Sequence, residues 1–96
     1  MTQYILLIQG NVKSTPTAEE WEQFITAAQA SGLFRGGSEI GERIVVGDAP
    51  SAQSTEHITG YMRFDSDDRQ KVLDLLQSHP VVLHGGSVEL CEMPKS

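Results

Sequence analysis

The stretch HITGYMRFD, residues 57–65, reads as a strand with two unlike faces. Ile58, Gly60, Met62 and Phe64 alternate with His57, Thr59, Tyr61 and Arg63, and a period of two is the mark of β-structure. The first set turns toward a core. The second lines the opposite side with an imidazole, a hydroxyl, a phenol and a guanidinium, so the fold depends on what covers that side.

Upstream, QYILLIQ (residues 3–9) is an apolar run of strand length, apolar on both faces, as a central strand would be. Between the two strands, STPTAEEWEQFITAAQASG predicts a helix. Thr17 as N-cap with Glu20 three residues on forms a capping box, and Trp21, Phe24, Ile25 and Ala28 make one apolar stripe. Gly32 closes the helix. The glycine-rich residues 33–46 predict a bulged strand segment followed by a better strand over 42–46, then a loop over 47–54.

Downstream, SDDRQKVLDLLQSH predicts a second helix capped by Ser66. Asp67 and Asp68 suit its positive end, Val72, Leu73, Leu75 and Leu76 form its buried stripe, and Pro80 stops it at His79. PVVLHGG reads as a loop. Residues 87–93 alternate as a last strand, with Val88 and Leu90 on one face and Glu89 and Cys91 on the other, and the tail PKS is expected to fray.

The order is therefore βαββαβ, a ferredoxin-like α+β fold in one domain spanning residues 1–96. In that topology the sheet is antiparallel, its first and third strands lie in the middle, and both helices cover one face. The face carrying His57, Thr59, Tyr61 and Arg63 stays open. A second copy of the sheet is the expected cover, and the seam of a homodimer is where a pocket would form.

Composition narrows the partners. The chain has 13 acidic and 7 basic residues, a formal charge of −6, which argues against nucleic acid and anionic membrane. The opening MTQYILLIQG lacks a basic leader and its apolar run is too short for a signal peptide. One cysteine fits a reducing compartment, so a cytoplasmic location is expected.

Four stretches resemble the YCII-related family and its DGPF branch: MTQYILLIQG the opening strand, GDAPSAQSTEHITGYMRFD the D-G-P-F loop and the Gly-Tyr strand after it, SDDRQKVLDLLQSHP the second helix, and GGSVELCEMP the closing strand. The resemblance implies two ferredoxin-like units paired in a dimeric α+β barrel. In the loop, Ala49 replaces the family's glycine and Ser51 its phenylalanine, and the segment before Gly60 is longer. Members associated with hydrolytic or dehalogenating chemistry pair a His near the start of the first helix with an Asp that precedes a proline. Here the helix opens Glu19, Glu20, Trp21, and the residue before the proline is His79.

Two constellations follow. His79 with Glu20, or Glu19, would make an inverted carboxylate–imidazole pair able to act as a general base; otherwise His79 simply ends a helix. His57, Tyr61 and Arg63 would hold a small, anionic organic ligand; otherwise they form a polar dimer interface in which Arg63 pairs with Glu89 or with a carboxylate of the second copy. No metal or cofactor is expected: apart from His79 and His84 flanking a loop, the histidines lack zinc-site spacing, and HGG and RGG read as turns or bulges. Cys91 reads as a small buried residue, and no Gly-x-Ser-x-Gly elbow is present. The sequence thus favours a homodimeric ligand-binding protein, with its pocket between sheet and helices or at the dimer seam. An enzyme built on His79 and Glu20 is the second reading, and a structural or accessory dimer the third.

Overall fold

The computed structural model describes residues 1–94, so the last two residues of the tail reading lie outside the described residues. Strand β1 (Thr2–Gln9) leads through a loop into helix α1 (Ala18–Ala30), which is followed by β2 (Phe34–Glu39), β3 (Ile58–Ser66), α2 (Arg69–Leu76), the short α3 (Pro80–Leu83) and β4 (Val88–Met93). The strands form one four-stranded antiparallel sheet in the order β2-β3-β1-β4. Among the described residues, no helix is long and apolar enough to cross a membrane.

Local chemistry sets the helix boundaries. The Thr17 hydroxyl accepts the Glu20 N–H at 3.1 Å and the Glu20 carboxylate accepts the Thr17 N–H at 2.9 Å, the reciprocal pair that starts α1. Gly32 follows its end at φ 75°. Asp68, rather than Ser66, caps α2 by accepting the Gln70 N–H at 2.9 Å. The Ser66 hydroxyl, still within β3, accepts the Asp68 N–H at 3.0 Å and positions the cap.

The helices cover one sheet face. Tyr4, Leu6, Ile8, Met62 and Phe64 point into it and pack with Phe24 and Ala28 of α1, Val72 and Leu76 of α2, and Val81 of α3. Leu6 stands opposite both Met62 and Leu90, which places it at the centre of the core. Fully burying a side chain of this size contributes about 1.5–3 kcal/mol. On the open face Ile5, Leu7, Tyr61, Cys91 and Met93 are half-buried among Thr59, Arg63 and Glu89, which are exposed.

Three further expectations change. Residues 42–46 are not a strand. β3 starts at Ile58, so the pairing of β2 ends where the Ile40 N–H donates to Thr59 O at 3.0 Å, and the next residues have no neighbouring strand within the chain. They form an extended arm held at Arg43, whose guanidinium donates to Ile58 O, with Ile44 81% and Val46 91% exposed. The radius of gyration is 14.4 Å, against about 12.5 Å for a compact chain of this length.

Pro80 does not merely end a helix: α2 stops at Leu76, and Pro80 opens α3 with His79 as its N-cap. His57 lies in the turn before β3, outside the strand.

Candidate functional site

A cavity of about 440 Å³ opens between α1 and the sheet. Two glycines make the room. Gly60 faces the helices opposite Ile8, and Gly37 stands opposite Met62, so neither puts a side chain beneath the helix. A Cβ on Gly37 would overlap the Tyr61 carbonyl oxygen, and the β2 bulge between Phe34 and Gly37 depends on that bare position. The walls are Trp21 and Ile25 of α1, Phe34, Met62 and Val81, with Val12, Thr15 and Pro16 of the loop before α1 at the rim. Glu39, opposite Gly60, supplies a polar side chain; Ser38, Thr59 and Tyr61 border the space from the sheet but carry their side chains on the open face, and no Lys or Arg lines the space.

The predicted ligand set is divided. Tyr61 borders the cavity with its backbone, but its side chain, opposite Leu7, stands on the open sheet face. Arg63 points to the open sheet face, donates to Arg35 O at 3.0 Å and does not reach the cavity. It makes no ion pair with Glu89: Arg63 pairs across Ile5, whereas Glu89 pairs across Leu7, one row away along the sheet. The nearby ion pair joins Arg35 to Asp65 at 3.3 Å. His57 is exposed, and its carbonyl accepts the Gly10 N–H at 2.8 Å.

His79 and Glu20 do not pair. His79 is fully buried; its Nδ1 accepts the Val81 N–H at 3.1 Å, capping α3. Its Nε2 therefore carries the proton of the neutral ring, and it has no hydrogen-bond partner. The ring lies edge-to-face against Trp21 and Phe24, with centroids 5.1 and 4.7 Å away, so the Nε2–H is left among aromatic neighbours. Desolvation lowers the pKa of His79 to about 4, so the ring is neutral near pH 7. It is neither a solvent-facing general base nor a cationic helix end, and the expectation of a proton-transfer role fails on burial.

Glu20 binds a different histidine. Its Oε2 lies 2.7 Å from His84 Nε2, and His84 Nδ1 lies 2.7 Å from the Ser14 hydroxyl. The Thr17 backbone N–H, and then His84, hold the Glu20 carboxyl below its usual range, so Glu20 is ionised. In the neutral imidazole, Nε2–H then donates to the carboxylate and Nδ1 accepts the Ser14 O–H.

The two loops carrying this relay are joined independently of it. Asn11 Nδ2 donates to Ser87 Oγ at 2.7 Å, the Ser87 N–H donates to Asn11 Oδ1 at 2.9 Å, and the Lys13 N–H donates to His84 O at 2.8 Å. Burial, followed by the neighbouring Glu89, pushes the Cys91 thiol up from its ordinary value, so it is a poor nucleophile.

Sequence reasoning paired Glu20 with His79, whereas the fold pairs it with His84. His84 and Ser14 lie 70 residues apart, joined only by the tertiary fold, and no local motif marks either. The glycines that open the cavity were read only as bulge and strand residues.

No known family profile matches the chain, and no curated protein does. Among solved structures it is similar to the Arabidopsis thaliana protein At3g17210, at 12% identity and a TM-score of 0.46, covering all of this chain and 96% of that one.

Proposed function

We propose that the chain is a small ligand-binding domain that holds a compact, mostly apolar organic molecule between α1 and the sheet and works as a homodimer. The cavity carries this reading. At about 440 Å³ it has the size of a small-molecule site, with aromatic and aliphatic walls and the Glu39 carboxylate at the sheet side. Glu39 is on the wall and no cation is, which favours a neutral ring with a hydroxyl over the anion expected from Arg63.

The open sheet face supports the second copy. Ile5, Leu7, Cys91 and Met93 form an apolar centre flanked by Arg63 and Glu89, a self-complementary mixture that a facing sheet would cover. The β2-β3-β1-β4 order agrees with the ferredoxin-like reading, and the dimeric barrel of the YCII-related resemblance belongs to the same proposal.

Trp21, the only tryptophan, is both wall and reporter. Titration with 1-naphthol should quench its emission and raise the melting temperature, and 1-naphthoate should bind less tightly. If neither compound changes Trp21 emission, the cavity is not a site for such rings. Sedimentation velocity decides the dimer, and a monomer at micromolar concentration removes that part of the proposal.

A further inference from the structure

From the Ser14–His84–Glu20 chain of hydrogen bonds we infer a nucleophilic site that takes the acyl group of small carboxylic esters onto Ser14. The inference does not depend on what fills the cavity. The three roles that acyl transfer needs are present: a hydroxyl within hydrogen-bond reach of a base, the base, and an ionised group that fixes the base's tautomer. Both links measure 2.7 Å. The orienting carboxylate is itself held, because Glu20 Oε1 accepts the Thr17 N–H at 2.9 Å while Oε2 faces His84.

Exposure grades in the useful direction. Ser14 is open to solvent, while the side chains of His84 and Glu20 are 20% and 32% exposed, so the nucleophile is reachable and the pair behind it is partly shielded. Nothing in the loop packing calls for a hydroxyl at residue 14, since the Asn11–Ser87 and Lys13–His84 hydrogen bonds already join the two loops. Among the described residues no backbone carbonyl accepts the Ser14 or Thr15 N–H. Val12, Thr15 and Pro16, on either side of Ser14 in the chain, lie on the cavity rim and present an apolar surface for the acyl part.

In the reaction, Ser14 Oγ forms a bond to the ester carbonyl carbon as its proton passes to His84 Nδ1. The bond from that carbon to the leaving oxygen then breaks, and the proton goes from His84 to the departing alcohol. Water attacks the acyl-serine, gives its proton to His84, and releases the carboxylic acid as Ser14 recovers the proton. Glu20 touches no reacting atom: it is a positioning residue, held opposite the imidazolium that forms.

The test uses a fluorophosphonate, followed by intact-protein and peptide mass spectrometry, and the release of 4-nitrophenol from 4-nitrophenyl acetate. Wild type should gain one adduct per chain, on Ser14, and Ser14→Ala none. His84→Gln should slow labelling by about 100-fold or more, the range for loss of a general base. Glu20→Gln, which can still accept the Thr17 N–H, should lower the maximal labelling rate about tenfold while leaving half-saturation by the probe unchanged. Trp21 emission and circular dichroism report the fold of each variant. The inference is overturned if folded wild type is labelled no faster than Ser14→Ala, if the adduct lies elsewhere, or if Glu20→Gln labels like wild type.

Discussion

His79 should give the fold a pH dependence well above the carboxylate range. Its pKa is about 4 in the folded chain, against an ordinary value of 6.5. Folding therefore disfavours the proton. The stabilisation is fully present above pH 6.5, declines as the unfolded chain takes up a proton there, and is exhausted below the folded value. At about 1.4 kcal/mol per unit the whole effect is about 3 kcal/mol, and the part between pH 7 and pH 5 comes to about 2 kcal/mol.

That loss is large beside the total stability of a domain this size, and with a urea slope of about 1 kcal/mol/M it lowers the unfolding midpoint by about 2 M. The comparison is His79→Asn at fixed protein concentration. Asparagine can still cap α3 through its side-chain oxygen but does not titrate. The variant is less stable at pH 7, because the ring packed on Trp21 and Phe24 is lost, yet its midpoint should move little between pH 7 and pH 5. His57 and His84 remain in both proteins, so the difference between the two pH profiles isolates His79. A variant that kept the wild-type slope would refute the reasoning.

Further outcomes follow from the packing and hydrogen bonds described above. Gly37→Ala, which drives a Cβ into the Tyr61 carbonyl oxygen, should cost about 2–4 kcal/mol and lower the melting temperature by about 10 °C or more in a circular dichroism scan. Thr17→Ala removes one half of the capping box and should cost about 1 kcal/mol by urea denaturation. Val46→Lys, in the exposed arm, should leave unfolding free energy within about 0.5 kcal/mol of wild type, whereas a buried strand residue would lose several times that. Asp65→Asn, which breaks a pair to a half-exposed Arg35, should cost less than about 1 kcal/mol.

The alternation in residues 57–65 predicted the strand and the inward side of Met62 and Phe64, because burial on one face imposes a period of two. Thr17 and Glu20 marked the start of α1 because a cap is a local interaction, complete within four residues. The arm was misread for the complementary reason. Ile44, Val45 and Val46 have high β-propensity, but a strand needs a neighbour, and whether one is available depends on where β3 begins.

The site was less legible. His79 lies beside a proline, which drew attention to a helix end and hid that the residue caps the next helix and is buried against aromatic rings. Glu20 was expected beside His79 and instead meets His84. Its partner could not be identified from spacing, since the fold, not the chain, brings His84 64 residues back to it.

β1 pairs on one side with β4, and Gln3 stands opposite Met93, so the sheet joins the first residues described to almost the last. On a ribosome this order has a kinetic meaning. β1 is made before both of its partners and must wait for β4, while β3 can join it earlier as soon as residues 58–66 emerge. Until then Leu6 and Ile8 have one edge unpaired, and a chain stalled before residue 88 presents a sticky β-edge to chaperones and to other nascent chains. Closure over so long a sequence separation also adds to the entropy cost of completing the sheet.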